Sequence, residues 1–97
     1  MTNCLHRFTL PKGIARATIE KIVAEAVFVA ECLHGPAKVR LGMSYYIAPG
    51  RPQCVIDTST EIGEQVAQLV AGLMARQLGE TAFRVERIAG SVAPAVP

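Results

Sequence analysis

Alternating apolar and polar residues make positions 38–57 the clearest structural signal in this chain. In the segment KVRLGMSYYI, apolar side chains occupy every second position from Val39 to Ile47, and mainly polar residues lie between them. Because successive strand side chains point to opposite faces, this pattern predicts a half-buried strand. The following APGRP predicts a tight turn, and QCVID predicts a return strand. We therefore interpret the whole segment as a β-hairpin.

Shorter patterns on either side of the hairpin predict two strands and two helices. Residues 3–10 alternate like a first strand, and residues 81–88 resemble a last one. Between residues 14 and 34 the apolar positions recur with the helical period, and Gly35-Pro36 is typical of a helix end. A second helix is expected from the capping residues 57–60 to about Leu78, with Gly79 ending it.

The predicted element order is β-α-β-β-α-β, which favours an α+β, ferredoxin-like βαββαβ fold. Two split βαβ units give a four-stranded antiparallel sheet of strand order 4-1-3-2, with both helices on one face. The alternative is αββαβ, in which residues 3–10 are not a strand. We expect one domain over residues 1–90 and a flexible C-terminal tail at 91–97, where the residues are small and include prolines.

Composition indicates an interface and gives no strong sign of nucleic-acid or membrane binding, but it does not identify a function. The 97 residues are 51% hydrophobic, more than one small core can hide, so part of this surface is expected in an interface. The formal net charge of +2 carries no strong bias towards nucleic acid. Three widely spaced cysteines and the absence of long apolar runs predict a cytoplasmic protein with no membrane partner.

Placing the hairpin in the predicted sheet leaves a basic face uncovered by helices. The candidate partner-binding residues are those that this arrangement places on the open face, together with Arg51 in the turn: Arg7, Lys38, Arg40, Tyr46, Arg51 and Arg84. Cations around a tyrosine are also compatible with RNA or single-stranded nucleic acid, through phosphate contacts and base stacking. A solvated sheet face is the more ordinary interpretation.

The first helix carries a second candidate surface. Phe28 falls on the side opposite the predicted buried stripe, with Ala24 beside it. An aromatic residue on the outer face of a helix predicts an oligomer or partner contact, and a homodimer through Phe28 is the simplest form.

Catalytic and metal-binding patterns are weak. Cys4 with His6 and Cys32 with His34 are the only cysteine–histidine pairs of close spacing, and neither makes a four-ligand metal motif. Acidic residues at the predicted helix start fit the helix dipole and require no catalytic role. The sequence thus predicts no cofactor, no metal and no catalytic residues.

We therefore expect a small non-catalytic protein-binding module, either an adaptor or an inhibitor of a larger enzyme or nucleoprotein complex. Short solitary domains of this kind include phage-encoded inhibitors. Two alternatives stay open: an RNA or single-stranded nucleic-acid-binding module on the open sheet face, and a small metal- or ligand-binding enzyme or sensor that uses the cysteine–histidine pairs.

Overall fold

The structure is a computed structural model and describes residues 4–89. Over this range a single sheet is covered on one face by helices. The elements follow one another as β1 (Cys4–Thr9), α1 (Arg16–His34), α2 (Pro36–Gly42), β2 (Tyr45–Ile47), β3 (Gln53–Asp57), α3 (Glu61–Leu78) and β4 (Arg84–Ala89).

The four strands form one antiparallel sheet in the order β2-β3-β1-β4. Phe8 of β1 lies opposite Cys54 of β3 on one side and Val85 of β4 on the other. The predicted α+β class and four-stranded antiparallel sheet are confirmed. The alternative without a first strand is wrong, because β1 pairs with both β3 and β4. The described residues hold three helices, where the ferredoxin-like prediction has two.

The core lies between the helices and one face of the sheet. Period-2 positions of the strands meet the apolar stripes of α1 and α3, because each element must bury its apolar side. Phe8 is 1% exposed, and its ring stacks on Phe83 with centroids 6.5 Å apart. The largest fully buried side chains are Phe8, Ile19, Ile22, Ile56, Met74, Val23, Val39, Val66, Val70 and Cys54.

Residues 36–42 form helix α2, so the prediction of a long strand over 38–47 is wrong in its first half. Pro36 occupies the first turn, where its fixed φ suits a helix and its missing N–H costs nothing. The residues that follow it, Ala-Lys-Val-Arg-Leu, include four good helix formers. Val39 alone in this helix is buried, while Leu41 is 90% exposed. The alternation therefore did not report a buried strand face.

The predicted ends of the two long helices are confirmed. Gly35 follows α1 with a φ of 90°, and Gly79 follows α3 with a φ of 102°, both in the region that favours glycine. At the start of α3, the hydroxyl of Thr60 accepts a hydrogen bond of 3.0 Å from the N–H of Gly63. Thr60, one of the residues 57–60 expected to cap this helix, is thus the N-cap.

Two further predictions concern the C-terminal tail and a membrane span. The predicted tail at 91–97 lies outside the described residues. Over residues 4–89, no helix combines the length and the apolar character needed to cross a membrane.

Candidate functional site

A groove lies between the outer face of α1, helix α2 and the edge strand β2. Its cavity has a volume of about 540 Å³. The groove, called here the Phe28 groove, is lined by residues of these three elements and the link between α2 and β2: Ala24, Val27, Phe28, Glu31, Val39, Arg40, Met43, Ser44 and Tyr45. It brings together three of the sequence-predicted residues, Ala24, Phe28 and Arg40.

Two aromatic side chains give the Phe28 groove its character. Phe28 is 64% exposed and Tyr45 is 46% exposed. Phe28 lies on the side of α1 that faces away from Ile22 and Ala26, which are fully buried. Tyr45 lies opposite Ile56 and so points to the helix-covered side of the sheet, but it stays exposed because β2 is the outermost strand. The groove therefore has an aromatic wall on each side.

The polar groups of the Phe28 groove are few and of opposite sign. Glu31 comes from α1 and Arg40 from α2. No salt bridge joins them among the described residues, so both charges are available at the rim. Lys38 is a further exposed cation on α2. The rim is thus mixed in charge with a basic excess on the α2 side.

The open face of the sheet differs from the basic surface that the sequence predicts. Lys38 and Arg40 are absent from this face, because they belong to α2 and not to a strand. Arg7 and Arg84 do lie there; Arg7 makes a salt bridge of 3.1 Å to Glu86, its cross-strand neighbour. The six predicted partner-binding residues, five of which are basic, therefore do not form one surface.

Tyr46 also lies on the open face, as predicted. It is opposite Val55, which is opposite Arg7, so these residues and Glu86 form one row across all four strands. The row holds one aromatic ring, one apolar side chain and one neutralised ion pair. The row therefore carries no net positive charge.

Arg51 lies at one end of the sheet, close to two further cations, Lys12 and Arg16, that were not predicted to be near it. Arg51, Lys12 and Arg16 line a cavity of about 480 Å³ between the β1–α1 loop and the β2–β3 turn. Arg16 donates one hydrogen bond of 3.2 Å to the carbonyl oxygen of Ile47, and its Nε lies 3.4 Å from a carboxylate oxygen of Glu20. Lys12 and Arg51 have no salt bridge among the described residues.

In both predicted cysteine–histidine pairs the histidine side chain makes a hydrogen bond within the fold. Thr58 donates its only hydroxyl hydrogen to the carbonyl oxygen of Cys4 at 2.9 Å, so His6 Nδ1, 2.8 Å from the same hydroxyl oxygen, must be the donor to it. Burial, together with Arg87, lowers the pKa of His6, and Glu64 partly opposes that shift. His34 Nε2 bonds to the side-chain oxygen of Gln65.

The thiols occupy three different environments. Cys32 is exposed, Cys4 is half-buried and Cys54 is buried in the core. Burial raises the pKa of the Cys54 thiol to about 12, so this side chain stays protonated and unreactive at neutral pH. Over residues 4–89, no group of three or more histidine, cysteine or acidic side chains is placed to hold a metal ion.

Sequence reasoning named three of the nine residues that line the Phe28 groove and missed the other six. Tyr45 was assigned to the covered face and Met43 to a buried strand position, and both line the groove. The signal that could have revealed them was Gly35-Pro36, because proline is favoured in the first turn of a helix and could have marked the start of α2. Compared with protein-family models, curated proteins and solved structures, the chain matches none of them.

Proposed function

We propose that this chain is a small non-catalytic protein-binding module, an adaptor or an inhibitor of a larger assembly, and that it docks its partner in the Phe28 groove. The observation that supports this proposal is the pair of exposed aromatic side chains, Phe28 and Tyr45, on the two walls of one cavity. Aromatic residues are enriched at protein interfaces because they bury a large area at a small entropic cost.

The shape of the groove favours a protein segment. The cavity of about 540 Å³ is large enough for several apolar side chains. Its polar groups, Glu31, Ser44 and Arg40, come from separate elements around the groove. A helix or extended segment that inserts apolar side chains between the aromatic walls fits this arrangement better than a polar small molecule does.

Charge indicates the chemistry of the partner. Arg40 lines the groove, Lys38 is exposed on the same helix, and the chain has a formal net charge of +2. An apolar segment flanked by acidic residues would place its carboxylates beside α2 while its apolar side chains fill the groove. Opposite charges at the rim mainly raise the association rate and exclude wrong partners.

The test is partner capture with the full chain as bait, followed by a direct binding measurement on each captured protein. Phe28→Asp is expected to weaken binding of the true partner at least tenfold, because it places a charge between the aromatic walls. Arg40→Glu is expected to weaken it less and to remove part of its salt dependence. Isothermal titration calorimetry with the purified partner gives both values.

Leu33→Asp is the matched control for Phe28→Asp. Leu33 lies on the same helix, is 70% exposed and lines a different cavity, so the variant changes charge and hydropathy equally without touching the groove. A partner that binds wild type and all three variants with equal affinity would contradict the proposal. Circular dichroism spectra of the variants exclude loss of folding as the cause.

Nucleic acid is the second candidate, and the cation cluster of Lys12, Arg16 and Arg51 favours it. Three basic side chains around one cavity of about 480 Å³ offer phosphate contacts, whereas on the open sheet face Arg7 is paired with Glu86. This alternative predicts a mobility shift with single-stranded RNA or DNA that weakens steeply with salt and is lost on Arg51→Glu. If nucleic-acid binding were lost on Tyr46→Ala instead, the binding site would be the open face of the sheet.

For the fold, we infer a ferredoxin-like arrangement in which α2 replaces the first half of the expected second strand. The strand order β2-β3-β1-β4 supports it, since the order expected for that arrangement, 4-1-3-2, has the same neighbours. The short β2 then follows from the space that α2 occupies.

A further inference from the structure

The sheet ends on one side in a strand whose outer edge is open. β4 is six residues long, has no proline, and pairs with β1 in one continuous register from Arg84 to Ala89. Among residues 4–89, no strand pairs with its other side. Such an edge exposes backbone N–H and C=O groups that can pair with another strand. Proteins protect such edges with short strands, bulges, proline or charged side chains. β4 is six residues long, pairs without a bulge and lacks proline, so its charges Arg84, Glu86 and Arg87 decide which strand can pair with it.

The side chains of β4 determine which strand fits that edge. When two copies of one strand extend a sheet through a two-fold axis, paired residues point to the same face, so the axis passes through one central residue pair. A centre at Glu86 brings two carboxylates face to face, and a centre at Arg87 brings two guanidinium groups together. Like charges directly opposite one another are unfavourable.

A centre at Val85 pairs residues 84–86 of the two copies, and these three pairs are complementary, while residues 87–89 extend past the paired segment. Arg84 of each copy then lies opposite Glu86 of the other, twice across the axis, and the two Val85 side chains meet on the opposite face. Val85 is 39% exposed in the single chain, so this contact would cover an apolar side chain that is now accessible. Among the three possible centres within 85–87, only this one pairs opposite charges.

A salt bridge within the chain prepares Glu86 for this pairing. Glu86 is half-buried and accepts from Arg7 on β1 at 3.1 Å, on the open face. Arg84 of a second copy would reach the same carboxylate from the other side and place it between two guanidinium groups. Arg84 itself is exposed and makes no salt bridge among the described residues.

We propose that β4 pairs antiparallel with β4 of a second copy of this chain, centred on Val85, to form an eight-stranded sheet. The two-fold axis uses each β4 once, so the assembly closes as a dimer and does not grow into a fibre. The Phe28 groove lies beside β2, at the far edge of each sheet, and stays accessible in both copies. Formation of the dimer therefore does not depend on the proposed partner, and it does not block the groove.

Sedimentation equilibrium of the full chain at low salt tests the dimer. Arg84→Glu is expected to raise its dissociation constant at least tenfold, because it places carboxylates opposite Glu86. Complete reversal, Arg7→Glu with Arg84→Glu and Glu86→Arg, restores both the internal and the cross-dimer pairs and is expected to restore dimerisation. Arg51→Glu, the same charge change at the β2–β3 turn, is the matched control and leaves the constant unchanged.

Disulfide trapping gives a second measurement if the triple variant does not fold. In a Cys32→Ser background, Val85→Cys places two thiols at the axis, where Cα atoms about 5 Å apart suit a disulfide. Arg87→Cys, on the same face, separates them by roughly 13 Å and should not link. A wild-type chain that stays monomeric, a dimer insensitive to Arg84→Glu, or a dimer abolished instead by Phe28→Asp would each overturn the proposal.

Discussion

The two outer strands of the sheet end it in opposite ways. β2 is three residues long, and α1, α2 and the Phe28 groove lie beside it. β4 is twice that length, and a cavity of about 230 Å³, lined by His6, Glu64 and Val85 among others, lies between it and α3. One edge presents side chains from three elements, and the other presents backbone.

This difference shows that the helix layer is shifted towards β2. Helix α1 contacts β2, α3 contacts β3, and α2 packs against both longer helices. Exposed Val85 and Arg87 on the helix-facing side of β4 are the consequence. A shifted layer gives one small domain two kinds of recognition surface, an apolar groove at one edge and an open strand at the other.

The close approach of α3 to β3 should be the most sensitive point of this shift. A Cβ at Gly63 would lie 1.9 Å from the backbone oxygen of Asp57. Gly63→Ala must therefore push α3 away from β3, and we expect a loss of about 3 kcal/mol or more in the free energy of unfolding. Urea denaturation followed by circular dichroism measures it.

Gly72→Ala is the matched control for Gly63→Ala. Gly72 lies in the same helix, and nothing lies within 4 Å of a Cβ at this position. Alanine there should stabilise the chain by about 0.5–1 kcal/mol, because glycine loses more backbone entropy in a helix. If both variants changed stability by the same amount, α3 would not make the close contact that shifts the helix layer.

A second prediction concerns helix α2, which packs against both longer helices and lines the Phe28 groove beside β2. Val39 is 1% exposed and Leu41 is 90% exposed, although they are only two residues apart. Val39→Ala should cost about 2 kcal/mol through lost burial and a cavity. Leu41→Ala should change stability by less than about 0.5 kcal/mol. Equal costs would mean that both side chains share one buried face, as in a strand, and would contradict helix α2.

The same two residues explain what the sequence could and could not predict. In β3 the period-2 pattern was matched by burial, because this strand lies inside the sheet and has helices above it. In β1 the match is partial, since Leu5 is 2% exposed although it lies on the face opposite Phe8. In 38–44 an equally regular pattern came from a helix with one buried side chain. Alternation predicts a strand reliably only where one face of the strand is buried and the other is exposed. In the segment before β2, proline in the first turn and good helix formers favoured a helix instead.

The candidate sites divide in the same manner. Exposure of Phe28 followed from the helical period of α1 alone, which needs only local geometry. Its grouping with Arg40 and Tyr45 depends on where α2 turns, and the grouping of Arg51 with Lys12 depends on which loops meet at one end of the sheet. Contacts between distant segments are not encoded in any local pattern, so these groupings needed the structure.

The smallest predicted effect lies at the β4 side, where His6 faces the cavity between α3 and β4. Burial and Arg87 lower its pKa from the ordinary value of 6.5. Below pH 6.5 the unfolded chain therefore binds a proton before the folded chain does. The free energy of unfolding should therefore fall as the pH drops from 6.5 to the pKa of His6 in the folded chain. Below that pKa, His6 should cause no further decrease.

An NMR titration of the His6 ring tests the cause of this shift. Arg87→Gln should raise the pKa of His6, because it removes a positive charge from the helix-facing side of β4. Glu64→Gln should lower it further, since the carboxylate stabilises the protonated ring. Arg84→Gln, a matched change on the opposite face of β4, should leave it unchanged. If Arg84→Gln shifted the pKa as much as Arg87→Gln, the two faces of this edge would not be separated as the strand register requires.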